Sequence, residues 1–434
     1  MKSITRESLI RQLDTHRQEM IDDTCHLIAF RSVAEQAGEI AAALDFVLER
    51  ARELGMTTGV TTGHDVGWAE IGEGEETMGL LTHVDVVHPG DLTQWPNDPF
   101  KGVLTDDDIL HGRGVVDDKG PVVMCLYIMR SLMELGVPLK RRIRLIIGTA
   151  EEGCVWHDME HYIEQFGAPE MSFSPDGDFP IYYSEKGYCD VNLTFPEKGR
   201  LENTVKATSG LSPNSIPSHA EITLKDGTHK EFSGTAFHSS MPQCGDSALL
   251  KLARDDIAED YDFARFLRDV FTDEHAPGLA LDDGNDTVDG IFVSRTVASP
   301  TVLRRSEDGL WININVRVRY GVSRQELEDS FTRLGRKYNY TYTIRTFLAP
   351  MMVDYHQDFI RQMNDVYESY GYVGDYMVAD GASYAAAFPN SVCWGPILPG
   401  DLSCAHMEDE RLPMSSFMRA CYIYGEYLVD ACEG

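Results

Sequence analysis

Four short clusters of acidic and histidine residues, each following an apolar, strand-like run, constrain the fold of this chain most strongly. They are LLTHVDVV (80–87), HGRGVVDDKGP (111–121), GTAEEG (148–153) and SPDGDFP (174–180). Taken singly, each cluster is compatible with a buried hydrogen-bonded pair or a solvated turn. Four clusters in succession, each after a hydrophobic segment, instead predict parallel strands whose carboxyl ends bring the polar side chains to one edge of a sheet.

The segments around these clusters alternate between helical and strand-like patterns. Amphipathic helices are predicted at about 5–32 and 37–54, and Pro121 begins another helix, since proline is favoured in a first helical turn. A strand from Arg144 to Ala150 leads into the third cluster. This alternation predicts an α/β fold with a mostly parallel sheet flanked by helices.

A long insertion is predicted between the fourth cluster and a fifth candidate segment, CAHMEDE at 404–410. Side chains that serve one site must converge, so the intervening chain is expected to form a domain of its own. Within it, residues 312–318 alternate between apolar and polar, as in a strand with one buried face. We therefore expect a catalytic domain made of residues 1–187 and 351–434, and an inserted α+β lid domain at 188–350.

The clusters contain the residue types that a pair of divalent cations requires. Such a pair needs a carboxylate that bridges the ions, further imidazole and carboxylate ligands, and an open position for water. The candidate ligands are His83, Asp117, Glu152, Asp176 and His406. Asp117 is the natural bridge, because nearby glycines such as Gly114 and Gly120 let its turn bend tightly. The pattern predicts the two-metal centre of a hydrolase.

Two further carboxylates are assigned supporting roles. Asp85 follows His83 by two residues, so strand alternation places both on one face, where the carboxylate can hold the second imidazole nitrogen. Glu151 and Glu152 are adjacent and point differently, so one can bind metal while the other stays free. We assign Glu152 to the metal and Glu151 to proton transfer.

The order of these motifs resembles that of a known family. HVDVV, GRGVVDDKGP, AEEG, SPDGDFP, EKG and finally AH followed by DE look like the aminoacylase and carnosinase type of dinuclear metallopeptidases. Within that type, segments 175–187 and 380–400 are most similar to the bacterial dipeptidase V branch. The resemblance implies a zinc-exopeptidase-like catalytic domain, the same five ligands, Glu151 as the base, and a cis peptide bond between Asp117 and Asp118. It also implies two divalent ions, with Zn²⁺ favoured over Mn²⁺ or Co²⁺.

The resemblance extends to three substrate-binding candidates in the inserted domain. His238 in GTAFHSSMPQCGDSAL, Asn214 in SPNSIP and Arg317 in NVRVRYG match lid motifs of the family. They imply a His that contacts the substrate, an Asn beside it, and an Arg whose planar fork grips a carboxylate. His88 and Ala386 depart from the family pattern, which usually has Pro and Arg there. The insert is intermediate in length between the lids of dimeric and single-chain relatives, and a monomer is favoured over a homodimer.

A competing motif lies directly after the third cluster. His157, Asp158, Met159, Glu160 and His161 spell H-x-x-E-H, an inverted zinc-protease pattern. In the related family this segment carries non-ligand residues at both His positions. We therefore interpret it as an exposed helical face.

Composition excludes several classes of partner. The net charge of −32 and the pI near 4.7 argue against nucleic acid or an anionic membrane surface. The amino-terminal segment lacks the apolar core of a signal peptide, and no later run suggests a membrane span. Nine cysteines lie without paired spacing, which is typical of reduced thiols in a cytoplasm.

The resulting hypothesis is a metal-dependent dipeptidase that acts on short unblocked peptides in the cytoplasm. Two alternatives remain open. The same metal chemistry would serve an N-acyl amino acid or diamine deacylase, because specificity lies in the lid. A catalytically silent metal-binding or peptide-binding protein is the third possibility, which the complete set of ligands and base disfavours.

Overall fold

The computed structural model describes residues 4–153, 156–281 and 284–433. The chain forms two compact units. The first consists of Met1–Tyr183, Val353–Met377 and Ser383–Gly434, and the second of Ser184–Met352 and Val378–Ala382.

From the sequence we predicted a catalytic domain made of residues 1–187 and 351–434 and an inserted domain at 188–350. The segment Val378–Ala382, expected in the catalytic domain, belongs to the second unit. The reason is local pairing: the Lys186 amide donates to the Ala379 carbonyl at 3.0 Å, and the Lys186 ammonium lies 2.7 Å from Asp380. A short return segment is therefore held by residues at the start of the second unit.

The helices and strands have the following bounds in the described residues. The helices are α1 (Arg6–Thr15), α2 (Arg17–Ala29), α3 (Ala37–Glu53), α4 (Lys119–Glu134), α5 (His157–Phe166), α6 (Ala248–Arg254), α7 (Asp262–Val270), α8 (Arg324–Tyr338), α9 (Asp358–Ser369) and α10 (Met414–Cys432). The strands are β1 (Thr57–Val60), β2 (Val66–Ile71), β3 (Thr77–His83), β4 (Val103–Leu104), β5 (Ile109–His111), β6 (Arg142–Gly148), β7 (Met171–Ser174), β8 (Gly177–Asp178), β9 (Ile181–Glu185), β10 (Gly187–Phe195), β11 (Thr204–Ser209), β12 (His219–Leu224), β13 (His229–Ser233), β14 (Thr287–Val288), β15 (Ile291–Phe292), β16 (Val297–Arg305), β17 (Leu310–Val318), β18 (Thr341–Leu348), β19 (Met351–Met352), β20 (Tyr376–Ala379), β21 (Ser391–Trp394), β22 (Pro396–Ile397) and β23 (Arg411–Pro413).

The main sheet of the first unit has the strand order β1-β2-β6-β3-β7-β21-β9. Its centre is parallel, because β3 pairs in parallel with both β6 and β7, and β7 pairs in parallel with β21. The outer pairs β1–β2, β2–β6 and β21–β9 are antiparallel. The α/β class is confirmed, but the sheet is mixed rather than mostly parallel. A short connection such as that between β1 and β2 permits only antiparallel pairing.

The parallel centre of this sheet brings the sequence clusters together. Every residue of β3 is buried, as expected for a strand covered on both faces, and α4 packs against β3 and β6. β3 ends at His83, β6 ends just before Glu151, and β7 ends just before Asp176. The carboxyl ends of three neighbouring parallel strands therefore deliver these three side chains to one edge of the sheet.

The second unit is built on a sheet of order β13-β12-β11-β16-β17-β10-β18, in which all pairs are antiparallel. Apolar residues of β17 such as Ile314 pack with helix residues such as Phe266 and Phe331 in its core. The polar residues of β17 are buried as well: Asn313 donates to the Asn192 side chain at 2.9 Å. The sheet of the inserted α+β unit thus has one apolar face and one polar face.

Across the described residues, no helix has both the length and the apolar composition needed to cross a bilayer.

Candidate active site

Two groups of potential metal ligands share the carboxylate of Asp117. The first group is His83, Asp117 and Asp176, and the second is Asp117, Glu152 and His406. Oδ1 of Asp117 lies 3.0 Å from Nε2 of His83, and its Oδ2 lies 2.9 Å from Nε2 of His406. All five predicted ligands therefore converge, with the two oxygens of one carboxylate facing two different imidazoles.

The residues of both groups fit divalent cations. The buried Nε2 of His83 and Oδ1 of Asp117 lie 3.0 Å apart without the geometry of a hydrogen bond, and neither atom has another hydrogen-bond partner within the described structure. Burial, together with Asp117, raises the pKa of Asp176 to about 7 and raises the pKa of Glu152. Carboxylates crowded in this way are stabilised as anions when cations lie between them. Imidazole nitrogens and carboxylate oxygens are also the ligands that zinc and similar ions accept.

Asp85 contacts this centre differently from the sequence expectation. Nδ1 of His83 is 3.0 Å from the backbone carbonyl of Asp85 and 3.4 Å from its carboxylate, so the carbonyl orients the ring. The carboxylate instead accepts from the amides of Glu151 at 3.2 Å and Glu152 at 3.0 Å. These two hydrogen bonds fix the carboxylate, so Asp85 connects His83 to the turn that carries both glutamates.

The adjacent glutamates differ in their surroundings. Glu152 extends towards His406, with 3.1 Å between Oε2 and Nε2, and its other oxygen accepts from the Val87 amide. Glu151 is buried and belongs to neither group of three. Burial raises the pKa of Glu151 well above its usual value, and Asp176 adds to this effect. A carboxyl group with a raised pKa is suited to exchange protons near neutral pH.

The peptide bond between Asp117 and Asp118 is cis, which confirms the expectation from the resemblance. Asp118 is fully buried, and its Oδ2 accepts from the His83 amide at 3.0 Å. The two aspartates thus serve different purposes: Asp117 faces both imidazoles, and Asp118 holds the backbone of one of them.

Comparison with known proteins decides the family. The sequence pattern of "Peptidase family M20/M25/M40" matches residues 79–430 of this chain. The chain belongs to this peptidase family. It is therefore a metal-dependent hydrolase, and the resemblance drawn from the motifs is confirmed at the level of the family.

Individual relatives of this M20-family chain cover almost all of it. A Bacillus subtilis (strain 168) protein named "Putative dipeptidase YtjP" is 28% identical over 467 positions, covering 96% of this chain and 98% of the relative. Human carnosine dipeptidase 1 has a similar fold, with a TM-score of 0.69, 14% identity and 99% coverage of each chain. Bacillus subtilis YXEP, described as a dinuclear metal binding peptidase, has a TM-score of 0.57 and 12% identity, covering 96% of this chain and 99% of that one.

Three residues that the sequence interpretation left out support the turn before Glu151. The hydroxyl of Tyr384 donates to Asp158 and accepts from the Ala150 amide at 3.2 Å. The Tyr384 ring stands edge-on to His83, with 6.1 Å between centroids. Trp156 donates from its indole to the Glu151 carbonyl at 3.0 Å. Only weak sequence features pointed to a supporting role for these residues. Tyr384 lies in the segment DGASYAAAF, and Asp158 lies inside the competing H-x-x-E-H motif.

That competing motif does not assemble a metal site in the structure. His157 pairs with Glu160 at 2.8 Å, and His161 pairs with Asp65 at 2.6 Å. Both imidazoles are largely exposed and lie outside the two groups that contain Asp117. Asp158 is the buried carboxylate of this helix, and it accepts from the Thr149 amide.

The three substrate-binding candidates all belong to the second unit, where Tyr188 connects two of them. Its hydroxyl donates to the Asn214 side chain at 3.4 Å, and its ring lies 4.9 Å from the Arg317 guanidinium. The Asn214 carbonyl accepts from the Ser239 amide, directly after His238. Nδ1 of His238 lies 2.6 Å from the Ser240 hydroxyl. The fold therefore gathers Asn214, His238 and Arg317 from three separate segments of this unit.

Proposed function

We propose that this protein is a two-metal dipeptidase that hydrolyses the peptide bond of short unblocked peptides. The observation that carries the proposal is the placement of Asp117 between His83 and His406, with Glu151 buried nearby but outside both ligand groups. The name of the Bacillus subtilis relative supports the choice of dipeptides as substrates.

The residues that would hold the two ions follow from the contacts. His83 and Asp176 would hold one ion, Glu152 and His406 the other, and Asp117 would bridge them. When bound, such ions polarise a carbonyl group and lower the pKa of water. We infer Zn²⁺ as the native metal, with Mn²⁺ and Co²⁺ as alternatives that the same donor set accepts.

Proton transfer is assigned to Glu151. Its carboxylate takes a proton from the attacking water and returns it to the amine nitrogen that leaves. Its backbone is fixed on both sides, because its amide donates to Asp85 and its carbonyl accepts from Trp156. The position of the side chain is therefore set by groups that do not take part in the proton transfer.

Substrate recognition is assigned to the second unit. Arg317 would bind the terminal carboxylate of the peptide, because a guanidinium matches a carboxylate with two parallel hydrogen bonds. His238 and Asn214 would donate to the oxygen that becomes negative during the reaction.

The decisive experiment compares substrates after the metal is replaced. Metal-stripped protein is reloaded with Zn²⁺, Mn²⁺ or Co²⁺ and assayed on matched unblocked dipeptides and N-acetyl amino acids. Cleavage of the free dipeptides, with no turnover before reloading, is the expected result. Cleavage of the acetylated set alone would establish a deacylase instead. Absence of turnover with metal bound would establish a silent binding protein.

We further propose that the enzyme is a monomer that works in the cytoplasm. Seven cysteines in the described residues are free thiols and five of these are buried, among them Cys125 and Cys421, which suits a reducing compartment. Sedimentation at assay concentration checks the monomer, since a stable dimer would sediment at about twice the mass.

A further inference from the structure

Arg113 and Glu410 form a buried ion pair in the first unit, and neither is a candidate ligand. Their side chains are 1% and 0% exposed, and Nη1 of Arg113 lies 2.6 Å from Oε2 of Glu410. A buried ion pair adds little net stability compared with apolar side chains of the same volume. The contribution of this ion pair therefore lies in the backbone groups that its two side chains hold in place.

The Glu410 carboxylate holds the loop that carries Asp117. Oε2 of Glu410 accepts from the Gly114 amide at 3.1 Å, and Oε1 accepts from the amides of Val116 at 2.8 Å and Asp117 at 3.2 Å. With Arg113 included, one carboxylate thus accepts from four donors. All four hydrogen bonds can form only if both carboxylate oxygens of Glu410 act as acceptors.

The Arg113 guanidinium reaches two other loops of the same centre. Nη2 donates to the Met407 carbonyl at 3.0 Å, one residue beyond His406. It also donates to the His88 carbonyl at 3.3 Å, in the loop that follows His83 and β3. One ion pair therefore joins the three segments that carry the two histidines and the shared aspartate.

We propose that the Arg113–Glu410 pair is a positioning element that sets the spacing between His83, Asp117 and His406. The inference rests on the proposed two-metal function. Because Asp117 belongs to both ligand groups, loosening its loop weakens both ion sites together rather than one of them. Neither Arg113 nor Glu410 needs to touch metal or substrate for this effect.

The test is Co²⁺ binding to metal-stripped Glu410→Gln. Gln presents an NH₂ group either to Arg113 and Gly114 or to the amides of Val116 and Asp117, so two accepting contacts are lost in either orientation. We expect Co²⁺ affinity at both sites to fall about 10- to 100-fold. The visible absorption bands of bound Co²⁺ should also shift, because the ligand geometry changes.

The matched control is Glu426→Gln. Glu426 is also a buried glutamate of the first unit, and it accepts from Arg6 at 2.5 Å, joining α10 to α1. Its loss should lower the free energy of unfolding and leave Co²⁺ affinity and spectrum unchanged. A merely structural ion pair at Glu410 would behave in the same way as this control.

A folded Glu410→Gln protein with wild-type Co²⁺ affinity and spectrum overturns the inference. Should that variant fail to fold, Arg113→Lys replaces it, since lysine keeps the charge but has no planar fork to span Met407 and His88. Weaker Co²⁺ binding by Arg113→Lys is the expected result, and unchanged binding overturns the inference. Wild-type protein that binds two Co²⁺ ions yet cleaves no dipeptide would refute the dipeptidase proposal and leave the positioning role standing.

Discussion

The Tyr384 hydroxyl donates a hydrogen bond to the Asp158 carboxylate, and both side chains are buried. The two residues are 226 positions apart in the chain. Each also holds the strand end that leads to Glu151, because Ala150 donates to the hydroxyl and Thr149 donates to the carboxylate. The pair therefore connects a distant loop to the backbone that presents the proposed base.

Tyr384→Phe should lower kcat roughly tenfold, as expected when a supporting hydrogen bond near a metal centre is lost. The change removes the hydroxyl that donates to the buried Asp158 carboxylate and accepts from the Ala150 amide, and should cost about 1–3 kcal/mol of unfolding free energy. Steady-state kinetics and urea unfolding measure the two effects. The control is Tyr367→Phe, because the buried Tyr367 hydroxyl makes no hydrogen bond within the described residues. Equal kcat values for the two variants would contradict the role of Tyr384.

Glu151→Gln should keep both cations and lose activity by about 10²- to 10⁴-fold, the range for removal of a general base. Glu152→Gln should instead lose cation affinity, because Glu152 is the member of the pair that faces His406. The two variants are distinguished by measuring both the metal content after dialysis and the initial rate of hydrolysis. A Glu151→Gln protein that hydrolyses dipeptides at the wild-type rate would eliminate Glu151 as the base.

The order of the sequence clusters was sufficient to predict which side chains meet. His83, Glu152 and Asp176 follow the ends of neighbouring parallel strands, so their convergence is a consequence of the sheet. The contact between Asp158 and Tyr384 could not be predicted in this way. A single tyrosine in a loop has no spacing pattern, and its partner is set only by tertiary packing.

Local hydrogen bonds and contacts, which the sequence pattern does not reveal, explain the remaining differences between the sequence predictions and the structure. Strand alternation correctly placed Asp85 beside His83 but could not show that two amides would capture its carboxylate. The short segment Val378–Ala382 joins the second unit through contacts with Lys186. Nothing in the composition of so short a segment distinguishes the two units.

Arg317→Met should raise KM for dipeptides about 10- to 100-fold with little change in kcat, because a charged hydrogen bond to the substrate carboxylate is worth about 1.5–3 kcal/mol. Methionine has an unbranched stem of similar length but loses the contact between the guanidinium and the Tyr188 ring. The control is a dipeptide amide, which lacks the carboxylate. If wild type and Arg317→Met differ equally on the acid and the amide, Arg317 does not bind the carboxylate.

The double substitution of His157 and His161 by alanine should leave cation binding and kcat unchanged. Each imidazole pairs with its own exposed or partly exposed carboxylate, Glu160 or Asp65, and exposed pairs of this kind contribute little to stability. Metal titration and kinetics of the double variant check this expectation. If the double variant binds one ion fewer than wild type, the H-x-x-E-H segment is a metal site.

Glu197 gives the second unit a predicted dependence of stability on pH. Its side chain is buried and accepts from the amides of Phe263 at 2.8 Å and Asp262 at 3.0 Å. Burial raises the pKa of Glu197 from 4.5 to about 7, although the two amides oppose this shift. Between these pH values the folded chain keeps a proton that the unfolded chain releases. The unfolding free energy should therefore fall as pH rises through this window, by roughly 3 kcal/mol, and level off above it.

Urea unfolding of wild type and Glu197→Gln at a series of pH values from 4 to about 8 isolates this contribution, because other titrating groups cancel in the difference. The stability of wild type relative to Glu197→Gln should decline between pH 4.5 and about 7. Glu202→Gln, at an exposed position of the same unit, is the control and should follow the wild-type profile. A constant difference between wild type and Glu197→Gln across the window would show that the Glu197 carboxyl has the same pKa in the folded and unfolded chains.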